Sequence, residues 1–313
     1  MADVIVVGGG IIGLTAAIRL RERGASVALW SPVDPADTVS SVAAAVWYPS
    51  GTDYDPRVLA WAGDTYRVFL RQARERVPGV LMRPTRNLER DGCTGEPWWA
   101  PAAGQVDYLE APAPWTREIR FQAPLVEMNA YLSWLRRQFV VAGGSVHRRG
   151  VQSLQEALVE APVVVNATGL AASRLCDDAA VHPARGQIVV VANPGLDVSI
   201  RDQSDPSTYI HPRTRDVVLG GTYQIDDWDI TPDPATRADI LARCIALAPK
   251  LAGATILADK VGLRPLRRGG PRVEAERTAL GVLVHTYGHG GAGMTLSWGC
   301  ADEVARLALG RNR

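Results

Sequence analysis

The chain has 313 residues, more than a single hydrophobic core usually organises, since cores stop growing at roughly 250–300 residues; two lobes with a cleft between them are expected. Its 34 basic and 33 acidic side chains leave a net charge of +1, which excludes the strongly basic field that attracts nucleic acid or an anionic membrane surface. No apolar run approaches the length needed to span a bilayer, and the apolar start lacks a basic leader and a cleavage site, so a cytoplasmic protein is expected.

In chain order, Val4–Val7 reads as an apolar strand, residues 12–23 as an amphipathic helix closed by Gly24, and residues 26–30 as a second strand. This is the βαβ start of a nucleotide-binding half. Gly8, Gly10 and Gly13 fit the GxGxxG spacing, which brings backbone N–H groups and a helix N-terminus up to a pyrophosphate without choosing between NAD and FAD. SVAAAVWYP, residues 41–49, has the small residues that suit close approach of chain to ligand; its plainer reading is a tightly packed helix start. Residues 51–122 are rich in Pro, Trp and Arg, with clear periodicity only for a helix at 58–76. A helix at 128–142 leads to the strands SVHRR and VVVNATG, the latter ending in small and hydroxyl residues where parallel sheets carry ligand contacts.

Residues 185–192 and 217–223 read as strands of an antiparallel sheet, with YIHPRTRD between them as turn formers. Residues 237–248 form a helix. After VGLRPLRR, a strand at 281–287 delivers the chain into TYGHGGAGMTLSW, where four glycines precede a helix at 295–309. Glycines there admit a flat or anionic group that a Cβ would hold away, and the first N–H groups of a helix beginning near Gly293 are donors to it. Cys93, Cys176, Cys244 and Cys300 have no CxxC spacing, so they are read as reduced thiols, with a Cys244–Cys300 bridge left open.

Together and in this order, VIVVGGGIIG, SVAAAVWYP, VVNATG, RGQI, GLRP and YGHGGAGMTLSWG resemble the FAD-dependent D-amino-acid oxidases, a group that includes the D-aspartate oxidases; the likeness covers nearly the whole chain. The resemblance implies an α/β fold: a Rossmann-like FAD-binding domain from residues 1–50, 140–184 and 262–313, with a second α+β substrate domain on a mostly antiparallel sheet from residues 51–139 and 185–261. It implies that Gly8, Gly10, Ile12 and Gly13 hold the FAD pyrophosphate, that Ala44, Ala45 and Val46 lie along the isoalloxazine ring, that Val151 meets the adenine end, and that Thr168 and Gly169 close that side. Gly290, Gly291, Gly293, Met294 and Thr295 bring N–H groups to the ring where charge accumulates on reduction.

By the same resemblance, Arg264 in GLRP clamps the substrate carboxylate, Tyr209 in TYIHP joins the clamp, and the Gly291 carbonyl accepts the substrate amine. A guanidinium fork suits a two-point carboxylate contact. The implied reaction is hydride transfer from Cα of a D-amino acid with a neutral or broadly varied side chain to flavin N5, giving a 2-oxo acid, ammonia and, from O2, hydrogen peroxide; no His or Glu base is required. The alternative is a D-aspartate oxidase, for which His211, Arg213 and Arg201 are candidate second cationic groups. A nicotinamide dehydrogenase and a flavin-bearing binding protein are the readings from other classes. The sequence departs from the family at Ser31, where an acid on the adenosine ribose is usual and Asp34 or Asp37 stands nearby. Asp205 and Ser50 stand where tyrosines are found in better-known members, and the segment before Tyr209 is short for a lid. His289 is read as structural, and Trp47 and Trp298 as packing residues. The oligomeric state is left open.

Overall fold

A computed structural model describes residues 2–49, 56–90, 95–203 and 206–310. The chain starts β1 (Val4–Val7), α1 (Ile11–Glu22), β2 (Val27–Ser31), then passes through 3-10 turns at Pro35–Asp37 and Val39–Val42 to α2 (Pro56–Arg74), β3 (Val80–Glu89), β4 (Val106–Glu110) and β5 (Arg117–Val126). α3 (Met128–Val141) returns it to β6 (Ser145–Arg148), α4 (Gln155–Leu158), β7 (Val163–Asn166) and α5 (Ala172–Leu175). Next come β8 (Val181–Ala192), β9 (Ser199–Asp202), β10 (Thr208–Pro212), β11 (Asp216–Gly220), β12 (Gln224–Ile225) and α6 (Pro234–Leu247). β13 (Ile256–Arg267), β14 (Arg272–Arg277), β15 (Val282–Tyr287) and α7 (Gly293–Leu309) complete it.

Among the described residues these strands form two sheets, the first in the order β14-β15-β7-β1-β2-β6. All its pairings are parallel except β14 with β15. The unbroken apolar run of β1 follows from burial on both faces: Val4 and Val6 join the core under α1, while Ile5 and Val7 join a separate core with Trp30 and Leu158. The second sheet has the order β12-β8-β11-β10-β9-β3-β5-β4, with β13 on the free side of β8. It is antiparallel apart from β3 with β9. β8 and β13 are single strands that run through the expected boundaries at 184/185 and 261/262.

Two stretches differ from expectation. The region of weak periodicity contains β3, β4 and β5, whose alternation is hidden by cross-strand ion pairs: Arg86 to Glu118 at 2.8 and 2.7 Å, and Arg117 to Glu89 at 2.8 and 2.5 Å. Pro84 is tolerated because β9 pairs with β3 only from Thr85 to Leu88. Residues expected to turn in YIHPRTRD instead begin as β10, with the turn confined to 213–215. The SVAAAVWYP segment is not a helix start; after the 3-10 turn, Ala45 takes φ 56° and Val46 bridges to Leu125 of β5. Cys176, Cys244 and Cys300 are free thiols, and Cys244 and Cys300 sit in different cores. Cys93, Ser50 and Asp205 lie outside the described residues. No helix among the described residues is long and apolar enough to cross a membrane.

Candidate active site

A cavity of about 1550 Å³ runs between the C-terminal end of the first sheet and one face of the second, larger than the ~300–1,000 Å³ of a typical small-ligand pocket. The first glycine loop forms one end. Gly8, Gly10 and Ile12 line it, whereas Gly13 does not. Gly13 serves packing: a Cβ there would stand 1.9 Å from the Gly8 carbonyl oxygen, so only glycine lets α1 start this close to β1. The Gly8 φ of 122° likewise excludes side chains. Sequence reasoning missed Ser40, whose Oγ accepts from the Ile11 N–H at 3.1 Å at the start of α1.

Ala44, Ala45, Val46, Val151, Thr168 and Gly169 all line the cavity. Asn166 orients Thr168, its Oδ1 accepting from the Thr168 N–H at 3.2 Å and hydroxyl at 2.7 Å. Ser31 is buried and donates to the Val33 carbonyl at 2.7 Å; of the two nearby acids, Asp37 lines the cavity and Asp34 does not. At the other end, Gly290, Gly291, Gly293, Met294 and Thr295 reach the cavity through a 3-10 turn at Gly290–Ala292 leading into α7, whose start has no side-chain cap. Thr295 joins the two glycine-rich walls: its hydroxyl accepts from the Tyr48 N–H at 3.1 Å and lies 3.2 Å from the Tyr48 carbonyl, to which it donates.

The second sheet supplies the polar wall. Arg264 lines the cavity, donates from Nη1 to the Thr222 carbonyl at 3.1 Å and lies 5.2 Å from the Tyr223 ring centroid. Tyr209 stacks on His211, ring centroids 4.9 Å apart, and its hydroxyl makes no hydrogen bond among the described residues. Glycines underlie both: Gly186 beneath Arg264, and Gly220 with Gly221 beneath Tyr209. Of the candidate cations, Arg201 and His211 line the cavity, while Arg213 is held by Asp216. Burial, and then the nearby Arg201 charge, hold His211 well below the usual imidazole range. Burial pushes His289 down to about 4, and its Nε2 has no partner in the protein, so the structural hydrogen bond expected of it is not made through that nitrogen. Trp47 and Trp298 are buried, donating to the Ala62 carbonyl at 3.0 Å and the Tyr131 hydroxyl at 2.8 Å.

Residues 3–307 match the model of the DAO family, described as FAD dependent oxidoreductase. The chain belongs to this family. It is 46% identical over 314 residues to the D-amino-acid oxidase of Rubrobacter xylanophilus, covering 98% of this chain and 96% of that one. It is 34% identical to the human D-aspartate oxidase, covering 98% and 94%. The glycine oxidase of Geobacillus kaustophilus has the same fold, with a TM-score of 0.84 at 21% identity, covering 100% of this chain and 95% of that one. The family's FAD fits the residues present. Gly8, Gly9 and Gly10 leave bare backbone on the cavity, and the uncapped start of α7 offers N–H donors at its far end. As an FAD dependent oxidoreductase, the chain is not a nicotinamide dehydrogenase.

Proposed function

We propose that this member of the DAO family is a D-amino-acid oxidase that deaminates D-amino acids with neutral or broadly varied side chains to 2-oxo acids and ammonia, O2 being reduced to hydrogen peroxide. The observation that carries this reading is that Arg264, Tyr209 and Gly291 line one cavity together with both glycine-rich loops. Bound FAD supplies a two-electron acceptor there. Arg264 binds the substrate carboxylate with its planar fork, the free Tyr209 hydroxyl donates to the same group, and the Gly291 carbonyl accepts from the substrate amine. These anchors orient one enantiomer's Cα–H toward the cofactor, so selection comes from positioning rather than from a base.

In this reading Gly8, Gly10 and Ile12 contact the pyrophosphate, and Gly13 shapes that loop from behind. Ala44 to Val46 flank the ring, Val151, Thr168 and Gly169 enclose the adenosine side, and Gly290 to Thr295 donate N–H groups to the ring. Residues 1–50, 140–184 and 262–313 serve the cofactor, and residues 51–139 and 185–261 the substrate. The reading includes a cytoplasmic location, supported by three free thiols.

A second reading, preference for acidic D-amino acids, is favoured by Arg201, a second guanidinium on the cavity with no carboxylate partner among the described residues. Anaerobic mixing of the holoenzyme with D-Ala, D-Val, D-Asp and their L-enantiomers tests both. Bleaching of the flavin by D-Ala and D-Val supports the first reading and bleaching by D-Asp alone the second; an unchanged spectrum with every D-amino acid refutes both.

A further inference from the structure

The second sheet carries a buried polar patch that the protein itself does not satisfy. Strand register sets Asn87 beside Arg201 and Thr85 beside Ser199 across β3 and β9, and Tyr209 beside Arg201 across β9 and β10. Registered neighbours and alternate residues of one strand share a sheet face, so Asn87, Ser199, Arg201, Tyr209 and His211 lie together. Asn87 and Ser199 are 0% exposed and His211 1%. Nonetheless Asn87 Oδ1 and Nδ2, Ser199 Oγ, Arg201 Nε and His211 Nδ1 have no hydrogen-bond partner in the protein. Buried polar atoms are almost always partnered, by protein, water or ligand, so this patch needs an occupant.

Arg201 makes the need electrostatic. Its guanidinium lies 4.3 Å from the Tyr48 ring centroid and 5.9 Å from that of Tyr209, while the acids on neighbouring strand positions are engaged elsewhere: Glu89 by Arg117, Asp202 by Arg90 and Trp115. Arg264 lines the same cavity and adds a like charge. A buried cation without a counterion is costly, and the cation–π contacts offset only part of that cost.

We propose that the recess around Arg201 binds a small monovalent anion of the halide or nitrate class, taken from solvent. Arg201 Nε is the charged donor and Asn87 Nδ2 and the Ser199 hydroxyl are neutral donors; Asn87 Oδ1 accepts from an accompanying water. Neighbouring strands lie about 4.8 Å apart, a span that one such ion bridges. The site explains how two guanidiniums coexist on one cavity wall when a substrate with a single carboxylate neutralises only one. A substrate with a second carboxylate displaces the ion. That last consequence rests on the amino-acid reading above, whereas the ion site does not.

The test uses substrate-free holoenzyme and sodium bromide. The expected results are an anomalous bromide peak within hydrogen-bond reach of Arg201 Nε in soaked crystals, and a saturable rise in melting temperature with bromide, at constant ionic strength set by a bulky sulfonate salt, that Arg201→Met loses. Water alone in the recess of the soaked wild-type crystal overturns the proposal even where the variant does not fold. An identical bromide dependence of melting in wild type and Arg201→Met also overturns it. Both readouts stand apart from turnover, so a failed substrate panel leaves them intact.

Discussion

Arg264 lies against Gly186 so closely that a Cβ at that glycine would stand 2.3 Å from Nη1 and 2.5 Å from Cζ. The glycine of RGQI thus gives the guanidinium a floor with no side chain. Gly186→Ala pushes the fork out of its place without touching its charge. The expected outcome is a rise in KM of about tenfold or more, equivalent to about 1.4 kcal/mol, with flavin content unchanged; steady-state kinetics beside the 450 nm absorbance of the purified protein checks it.

Removing the charge itself goes further. Arg264→Ala deletes a charge-assisted contact of about 1.5–3 kcal/mol, so substrate binding weakens roughly ten- to 150-fold while FAD occupancy stays near that of the wild type. A variant that loses FAD yet binds substrate normally contradicts the assignment of Arg264 to the substrate.

The two ends of the first glycine fingerprint predict different failures. Gly13→Ala sets a methyl against the Gly8 carbonyl oxygen and must force α1 from β1, whereas at Gly10 a Cβ meets only Ser40 Oγ, at 3.0 Å. Gly13→Ala therefore lowers the melting temperature of the apoprotein, and Gly10→Ala leaves it nearly unchanged while weakening FAD binding. Calorimetry of both apoproteins and flavin titration separate the two.

Stability should fall in mild acid. Folded His289 protonates only near pH 4, because burial pushes it down from 6.5. Between these values the unfolded chain binds a proton that the folded chain does not, so stability is retained above pH 6.5 and declines as pH drops through the window. The slope from this group is at most about 1.4 kcal/mol per pH unit. The burial of His211 acts in the same direction. His289→Asn should flatten the profile, measured as melting temperature of the holoenzyme from pH 4 to 7.

Both glycine loops and the β1-α1-β2 start are legible in the sequence because glycine spacing and an unbroken apolar strand are local signals. Arg264 and Tyr209 stand out only through the short motifs around them. What stays hidden is what depends on distant partners. β3 and β5 carry arginines and glutamates that look solvated until their strands pair, and Ser40, Gly186 and Thr295 acquire their roles from contacts with Ile11, Arg264 and Tyr48. Arg201 is visible as a cation, but the lack of a partner that makes it informative exists only in the folded chain.

The Thr295 hydroxyl that grips both backbone groups of Tyr48 spans 247 positions of sequence. A nascent chain made only as far as β15 already contains the first dinucleotide loop but lacks the clasp that fixes the strip at Ala44 to Val46. Completion of the cofactor pocket therefore waits for the last helix to leave the ribosome and dock.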